Sequence, residues 1–521
     1  MNCSRLLVLG LACALLFSAA RATTFDLSTA TVADINAAFD AGALTSEKLV
    51  QLYLARIEAY DQKGPKLNTI ITLNPKALET AKALDAERKA KGPRSPLHGI
   101  PILAKDVYNT FDMPTSGGFK PMATSQPSSD SFIINRLRSA GAIILGKLNQ
   151  ADWYAVAPIA ASTLKGQVLS PYNLKKFTGA SSSGTGAAMA ACFATIGLGS
   201  DTGASIVMPT ALSNLAGFAT SHGLVSRTGM MWSSPSQENG GPMGRYVYDC
   251  AAVLDVIAGY DAADVATQAG LGKIPDRPYT SFIAKDGLKG ARVGVLREMF
   301  RTGPKHVEGN ALAEKAIADF KTAGAIVVDP VLTGLKLIET QVDAGASKYE
   351  VALAINKYLA ALPPTAPIRT VDEMIAKAGD VTVKPGIIEA AKLYTSLDHN
   401  KEVVAALKHQ DVLRSALVEL MDKYQLDALI LPFMTMQTQD IPVGTLDNEW
   451  RNHLSSYTGL PTIIVPGGFF PSDGMPFGMQ FLGKPFTEPT LIKLAAGYET
   501  ATKHRKPAPL TPPLPGEKFD Y

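Results

Sequence analysis

The residues with the most chemical potential lie in the run 178–205, TGASSSGTGAAMAACFATIGLGSDTGAS, where Ser181 and Ser205 stand 24 positions apart. A serine cluster among glycines passes into a small-residue helix, a strand-like run and a tight turn, an order that brings both serine sites to one end of a sheet. A flexible Gly/Ser linker would not continue into alanine-rich helix and aliphatic strand. A serine here acts as a nucleophile only if a neighbour takes its proton. The chain holds no G-x-S-x-G elbow, so a Ser-His-Asp hydrolase site has no anchor and another base is required. The run 141–147, GAIILGK, fits a phosphate-loop pattern by letter, but its inner residues read as a buried strand and Leu148 stands where Ser or Thr is needed. Upstream, LHGIPILAKD at 97–106 closes an apolar run, read as a buried strand, on Lys105. Read alone, such a lysine is a surface residue with its stem laid along apolar neighbours.

Segments with a period near 3.6 alternate with short aliphatic runs. Residues 46–60 place Leu49, Leu52, Tyr53 and Ile57 on one helical face behind a Ser46 cap, and 75–91 start at Asn74 and Pro75 and stop at Gly92. Strands are expected at 142–146, 195–199, 291–296, 325–329, 427–431, 462–465 and 477–482. This alternation predicts an α/β protein with a mixed central sheet flanked by helices on both faces. Residues 335–395 read as a helical insertion or cap, broken by prolines at 363–367, with an independent 270–410 subdomain as the alternative. The proline-rich end, 506–515, is expected to wrap the surface.

The chain has 521 residues, 50 Lys+Arg against 47 Asp+Glu and 46% hydrophobic residues, which excludes a disordered chain and a polytopic membrane protein. A net charge of +3 without long like-charged runs gives no case for nucleic acid. Arg5, the apolar stretch 6–17 and Ala20-Arg21-Ala22 read as a signal peptide, 1–22, with the mature chain at 23–521 secreted or periplasmic and not stably associated with a membrane. That leaves Cys192 and Cys250, expected as buried free thiols rather than a bridge. No C-x-x-C or H-E-x-x-H occurs, so no metal is expected.

Taken together, LHGIPILAKD and the two serine segments resemble the amidase signature family, whose members hydrolyse amides with a Ser-cisSer-Lys triad. Further matches are GLVSRTGMM at 223–231, GGPMGRYVYDCAAVLDVIAGYD at 240–261, GLKGARVGVLREMF at 287–300, DALILP at 427–432, and GLPTIIVPGGF with PFGMQFLGKPFTE within 459–488, so the resemblance covers nearly the whole mature chain. It implies the amidase signature fold, Ser205 as nucleophile, Ser181 as bridging serine after a cis peptide bond, and Lys105 as base. Ser182 and Asp201 would support them, and the amides of Thr202, Gly203, Ala204 and Ser205 would line an oxyanion hole. The chemistry requires that burial lower the Lys105 pKa from near 10.4 by about three units, because a charged lysine cannot take a proton. It needs no cofactor.

The chain departs from the family's common glycines at Ala180, Ser183 and Ala204, and from its common arginine at Val207. The 223–261 region and the Ser205-Ile206-Val207 run look most like the bacterial peptide amidases, which remove a C-terminal peptide amide. The substrate is thus expected to be a small-molecule or peptide amide, bound near Asp152, Trp153, Tyr154, Met230, Met231, Trp232 and 433–437, by a monomer or homodimer. Ester, carbamate or anilide hydrolysis, and a non-catalytic amide-binding role that Ala204 would permit, stay open as alternatives.

Overall fold

Every aliphatic run expected as a strand pairs into one eleven-stranded mixed sheet. The computed structural model describes residues 23–393 and 400–521; the 1–22 segment read as a signal peptide lies outside the described residues. In chain order the strands are β1 (Ile70–Leu73), β2 (Pro101–Lys105), β3 (Ile143–Leu148), β4 (Ile196–Asp201), β5 (Ala216–Ala219), β6 (Asn239–Gly244), β7 (Arg292–Leu296), β8 (Ile326–Val331), β9 (Ala428–Pro432), β10 (Thr462–Phe469) and β11 (Pro476–Leu482). Their spatial order is β8-β7-β9-β11-β10-β5-β6-β4-β2-β3-β1. Pairing is parallel where β2 meets β3 and β4 and where β7 meets β8 and β9, and antiparallel elsewhere. Every position of β3, β4, β9 and β11 is buried, so helices and loops cover both faces.

Three strands, β1, β5 and β6, fall outside the expected set. The last two read AGFA and NGGPMG, low in strand propensity, and they pair because small residues let backbones approach: a Cβ on Gly241 would lie 2.0 Å from the Phe218 carbonyl oxygen. The helix expected over 46–60 runs Ser46–Arg56 and buries Leu49, Leu52 and Tyr53, with Ile57 beginning one π-helical turn. Its cap is Thr45, which accepts from the Lys48 amide at 3.1 Å, one residue before the expected Ser46. The helix expected over 75–91 runs Ala77–Lys91 and stops at Gly92 with φ 81°.

Within 335–393 the chain forms four helices, Leu337–Asp343, Ser347–Ala360, Val371–Ala376 and Pro385–Leu393. The stretch before the last of these pairs with the region after β3: Val156 N donates to Thr382 O at 2.7 Å and Lys384 N to Tyr154 O at 2.8 Å. Thr24–Asp26 pairs antiparallel with Lys518–Asp520, and buried Arg56 ties the proline-rich tail down through Thr511 O and Glu517, both at 2.7 Å. Cys192 and Cys250 are buried and free. No helix of the described residues is long and apolar enough to cross a membrane.

Candidate active site

Parallel pairing of β2 with β4 sets their C-terminal ends side by side, which places Lys105 next to Ser200 and Asp201. The Lys105 side chain is fully buried; its Nζ donates to Ser200 Oγ at 2.9 Å and is hydrogen-bonded to Ser181 Oγ. Burial lowers its pKa to about 7, overcoming the opposing pull of Glu238 and Asp201. A lysine in this state is poised to exchange a proton near neutrality.

Ser181 reaches the lysine by a different backbone route from the expected one. Among the described residues the cis peptides are Asp329-Pro330 and Ile441-Pro442, so the Ala180–Ser181 bond is not cis; Ser181 instead takes a left-handed φ of 35°. A serine held in this left-handed region costs about 1–3 kcal/mol, which the surrounding structure must supply. Close packing holds the segment: a Cβ on Gly179 would sit 2.7 Å from Pro209 Cα, and one on Gly184 2.0 Å from Asn149 O. Ser182, expected to support Lys105, does so at one remove. Its Oγ donates to Ser200 O at 3.2 Å and accepts from Ser200 N at 3.3 Å, fixing the serine that bonds the lysine.

The turn after β4 is organised by the buried Asp201 carboxylate, which accepts from the amides of Ile206 at 2.8 Å and Val207 at 3.3 Å and also faces the Ala204 amide. Its Oδ1 has no partner among the described residues, and Val207, where the family commonly carries arginine, is buried among apolar residues. Ala204 sits at φ 66°, which explains why glycine is common there. Ser205 is 8% exposed and its amide makes no hydrogen bond among the described residues, as an oxyanion donor requires, while the Gly203 amide faces the His453 ring. Ser205 Oγ makes no hydrogen bond to Ser181, so the structure joins Lys105, Ser181 and Ser200 and leaves the nucleophile candidate on the neighbouring turn.

Four further residues support this turn and were not singled out in the sequence. Ser200 holds the lysine. Gln237 donates to Thr202 O at 2.7 Å while its Oε1 accepts from Ala346 N at 2.7 Å and Ser347 N at 3.0 Å, linking the turn to the start of the Ser347–Ala360 helix. Buried Glu238 accepts from Thr202 Oγ1. His453 stacks on Tyr457 at 4.7 Å, and burial followed by Arg451 lowers its pKa to about 3, so a neutral ring lies beside Gly203.

A cavity of about 410 Å³ opens onto Ser181, lined also by Trp153, Ser233, Lys348, Lys384 and Ile387. The Trp153 ring lies 6.0 Å from Lys105 Nζ. Tyr154 and Met231, expected to contact substrate, are instead fully buried: Tyr154 packs edge-on against Phe119 at 5.2 Å, and Met231 lies against Gly117. Apolar surface at these positions fills the core rather than the cleft. Trp232 and Met230 line a separate cavity of about 500 Å³ with Arg227 and Lys357. Asp152 reaches the cleft, but its carboxylate is taken by Tyr154 N, Ala155 N, Thr163 N and Thr163 Oγ1 at 2.6–3.0 Å. Met434, Met436 and Gln437 line another crevice beside Trp450. Among the described residues no group of three or more His, Cys, Asp or Glu could hold a metal.

The family model described as Amidase matches residues 48–492. A probable amidase of Arabidopsis thaliana is 32% identical over 504 residues, 93% of this chain and 92% of that protein. A glutamyl-tRNA(Gln) amidotransferase subunit of Symbiobacterium thermophilum is 32% identical over 92% of this chain and 98% of its own. Among solved structures, the native peptide amidase from Stenotrophomonas maltophilia superposes with a TM-score of 0.81 at 33% identity, over 93% of this chain and 99% of that one.

Proposed function

The chain belongs to the amidase signature family of amide hydrolases, and we propose that it cleaves a terminal carboxamide, including the C-terminal amide of peptides, through an acyl-enzyme on Ser205. The observation that carries this reading is the fully buried Lys105, held between Ser181 and Ser200 with a pKa of about 7. Neutral Lys105 takes the Ser181 hydroxyl proton while Ser181 takes that of Ser205, after its hydroxyl swings into bonding distance as the substrate docks. Ser205 Oγ then bonds the amide carbon, and the developing oxyanion is met by the unengaged Ser205 amide. Lys105 returns the proton through Ser181 to the leaving nitrogen, the C–N bond breaks and ammonia or an amine departs. Water enters by the same relay and releases the acid.

The peptide-amide preference is supported by the likeness to the Stenotrophomonas peptide amidase and by a cleft large enough for a peptide end. Export is our reading of residues 1–22 alone, and N-terminal sequencing of the protein recovered outside the cytoplasm checks it by a start at Thr23. Ammonia release is the test of function, measured on peptide, alkyl and aryl amides with Ser205→Ala alongside. Release that vanishes in the variant supports the assignment. Release only from anilides, esters or carbamates moves the substrate class, and amide binding without any release replaces the enzyme with a binding protein.

A further inference from the structure

We infer that the cleft selects amides carrying a negative charge beside the scissile group, so that acidic peptide amides are preferred over basic ones. The inference rests on the amidase reading above and adds its substrate class.

The cleft that opens onto Ser181 carries two ammonium groups, Lys348 and Lys384. Neither forms an ion pair among the described residues. Lys348 is exposed, with its Nζ 4.8 Å from the Tyr349 ring centroid. Lys384 Nζ donates to the backbone oxygen of Asp152, and burial lowers its pKa against the opposing pull of the Asp152 carboxylate, so a further anion brought beside it favours the charged form. The one carboxylate among the residues that line the cleft, Asp152, already accepts four protein hydrogen bonds. Glu350, on the same helix as Lys348, is buried and accepts from Ser236 Oγ at 2.9 Å and from Ser234 Oγ. The groups open to a ligand are therefore hydroxyls and ammonium groups, a set that suits a carboxylate and repels a second ammonium group.

Both lysines come from the helical 335–393 stretch rather than from the strands that hold the reacting groups. Lys348 is in the first turn of Ser347–Ala360 and Lys384 immediately precedes Pro385–Leu393. Chemistry and charge selection thus reside on different parts of the chain, so altering one leaves the other in place.

The test uses three acetylated dipeptide amides, Ac-Glu-Leu-NH2, Ac-Gln-Leu-NH2 and Ac-Lys-Leu-NH2, with ammonia release measured at low and high salt. The expected order of kcat/KM is Glu, then Gln, then Lys, with the outer pair separated by roughly tenfold at low salt and by less at high salt. In Lys348→Glu, a substitution at an exposed position, the Glu-to-Lys ratio is expected to fall below one, through KM more than kcat. Equal rates for the three amides, or a preference for the lysine peptide that Ser205→Ala abolishes, would overturn the inference and leave the amidase reading standing. Failure to cleave any of them, or any other amide, would overturn both.

Discussion

Lys105 exchanges its proton at a pKa of about 7, lowered by burial, so the share of enzyme able to act as base changes most steeply around neutrality. Below that value kcat/KM is predicted to fall about tenfold per pH unit, and above it to level off. Lys105→Ala is predicted to lower kcat/KM at least about 100-fold at and above neutral pH, with the deficit shrinking towards acid as the parent loses its base, while circular dichroism stays native. A flat profile from pH 5 to 9 would remove the lysine from the relay. Ala204 makes a second test at this scale. Its φ of 66° inside a buried turn tolerates a methyl group but not a β-branched side chain. Ala204→Val is predicted to lose about 2 kcal/mol or more in urea unfolding, whereas Ala204→Gly stays within about 1 kcal/mol of the parent because strain relief and added unfolded-state entropy oppose each other. Turnover retained in Ala204→Gly would show that the methyl group at this turn is not required for activity.

Between elements, the turn after β4 and the start of the Ser347–Ala360 helix share one buried side chain, Gln237. Gln237→Leu strands two helix-start amides and one carbonyl, at a cost of about 1–3 kcal/mol for each group left without a partner. The predicted result is a lower unfolding midpoint together with a raised KM, because the helix that bears Lys348 loses its tie to the reacting turn. Unchanged KM with lowered stability would make Gln237 a structural residue only. This link was not legible in the sequence, and the reason is physical. Lys105, Ser181 and Ser205 sit in local patterns of glycine, serine and aliphatic residues, whereas Ser200, Gln237, Glu238 and His453 act through partners brought together only by the sheet order. The same contrast separates the strands: aliphatic β3, β4, β7, β9 and β11 could be read directly, but glycine-rich β6 owes its existence to its neighbours. Tyr154 and Met231 were legible as apolar, yet nothing local said that they face the core.

Over the whole molecule, several carboxylates stay buried at the expense of their charge. Burial, followed by repulsion from Asp249, raises Glu499 to about 8, even though its carboxylate accepts from the Val247 amide at 3.1 Å and Arg505 lies nearby. Burial likewise raises Asp249 to about 6. The folded chain therefore binds protons that the unfolded chain has released, and this contribution is complete below about pH 4 and is lost as pH rises through 6 and then 8. The share of stability contributed by these two carboxylates is predicted to decline between pH 5 and 8, and Glu499→Gln is predicted to remove the Glu499 share, read as a parent-minus-variant difference in Tm that changes across that range. A variant whose Tm still follows the parent's pH dependence would place the effect elsewhere. The same fold that tolerates these buried acids holds a half-neutral lysine beside two serines, and the consequence to be tested first is the covalent one. A peptide p-nitrophenyl ester should acylate the enzyme faster than water clears it, so acid quenching during turnover followed by peptide mass mapping reads the site of attachment. The predicted result is the acyl mass on the peptide that contains Ser205, absent in Ser205→Ala. An adduct on a different residue, or full turnover by Ser205→Ala, would contradict the assignment of Ser205 as nucleophile.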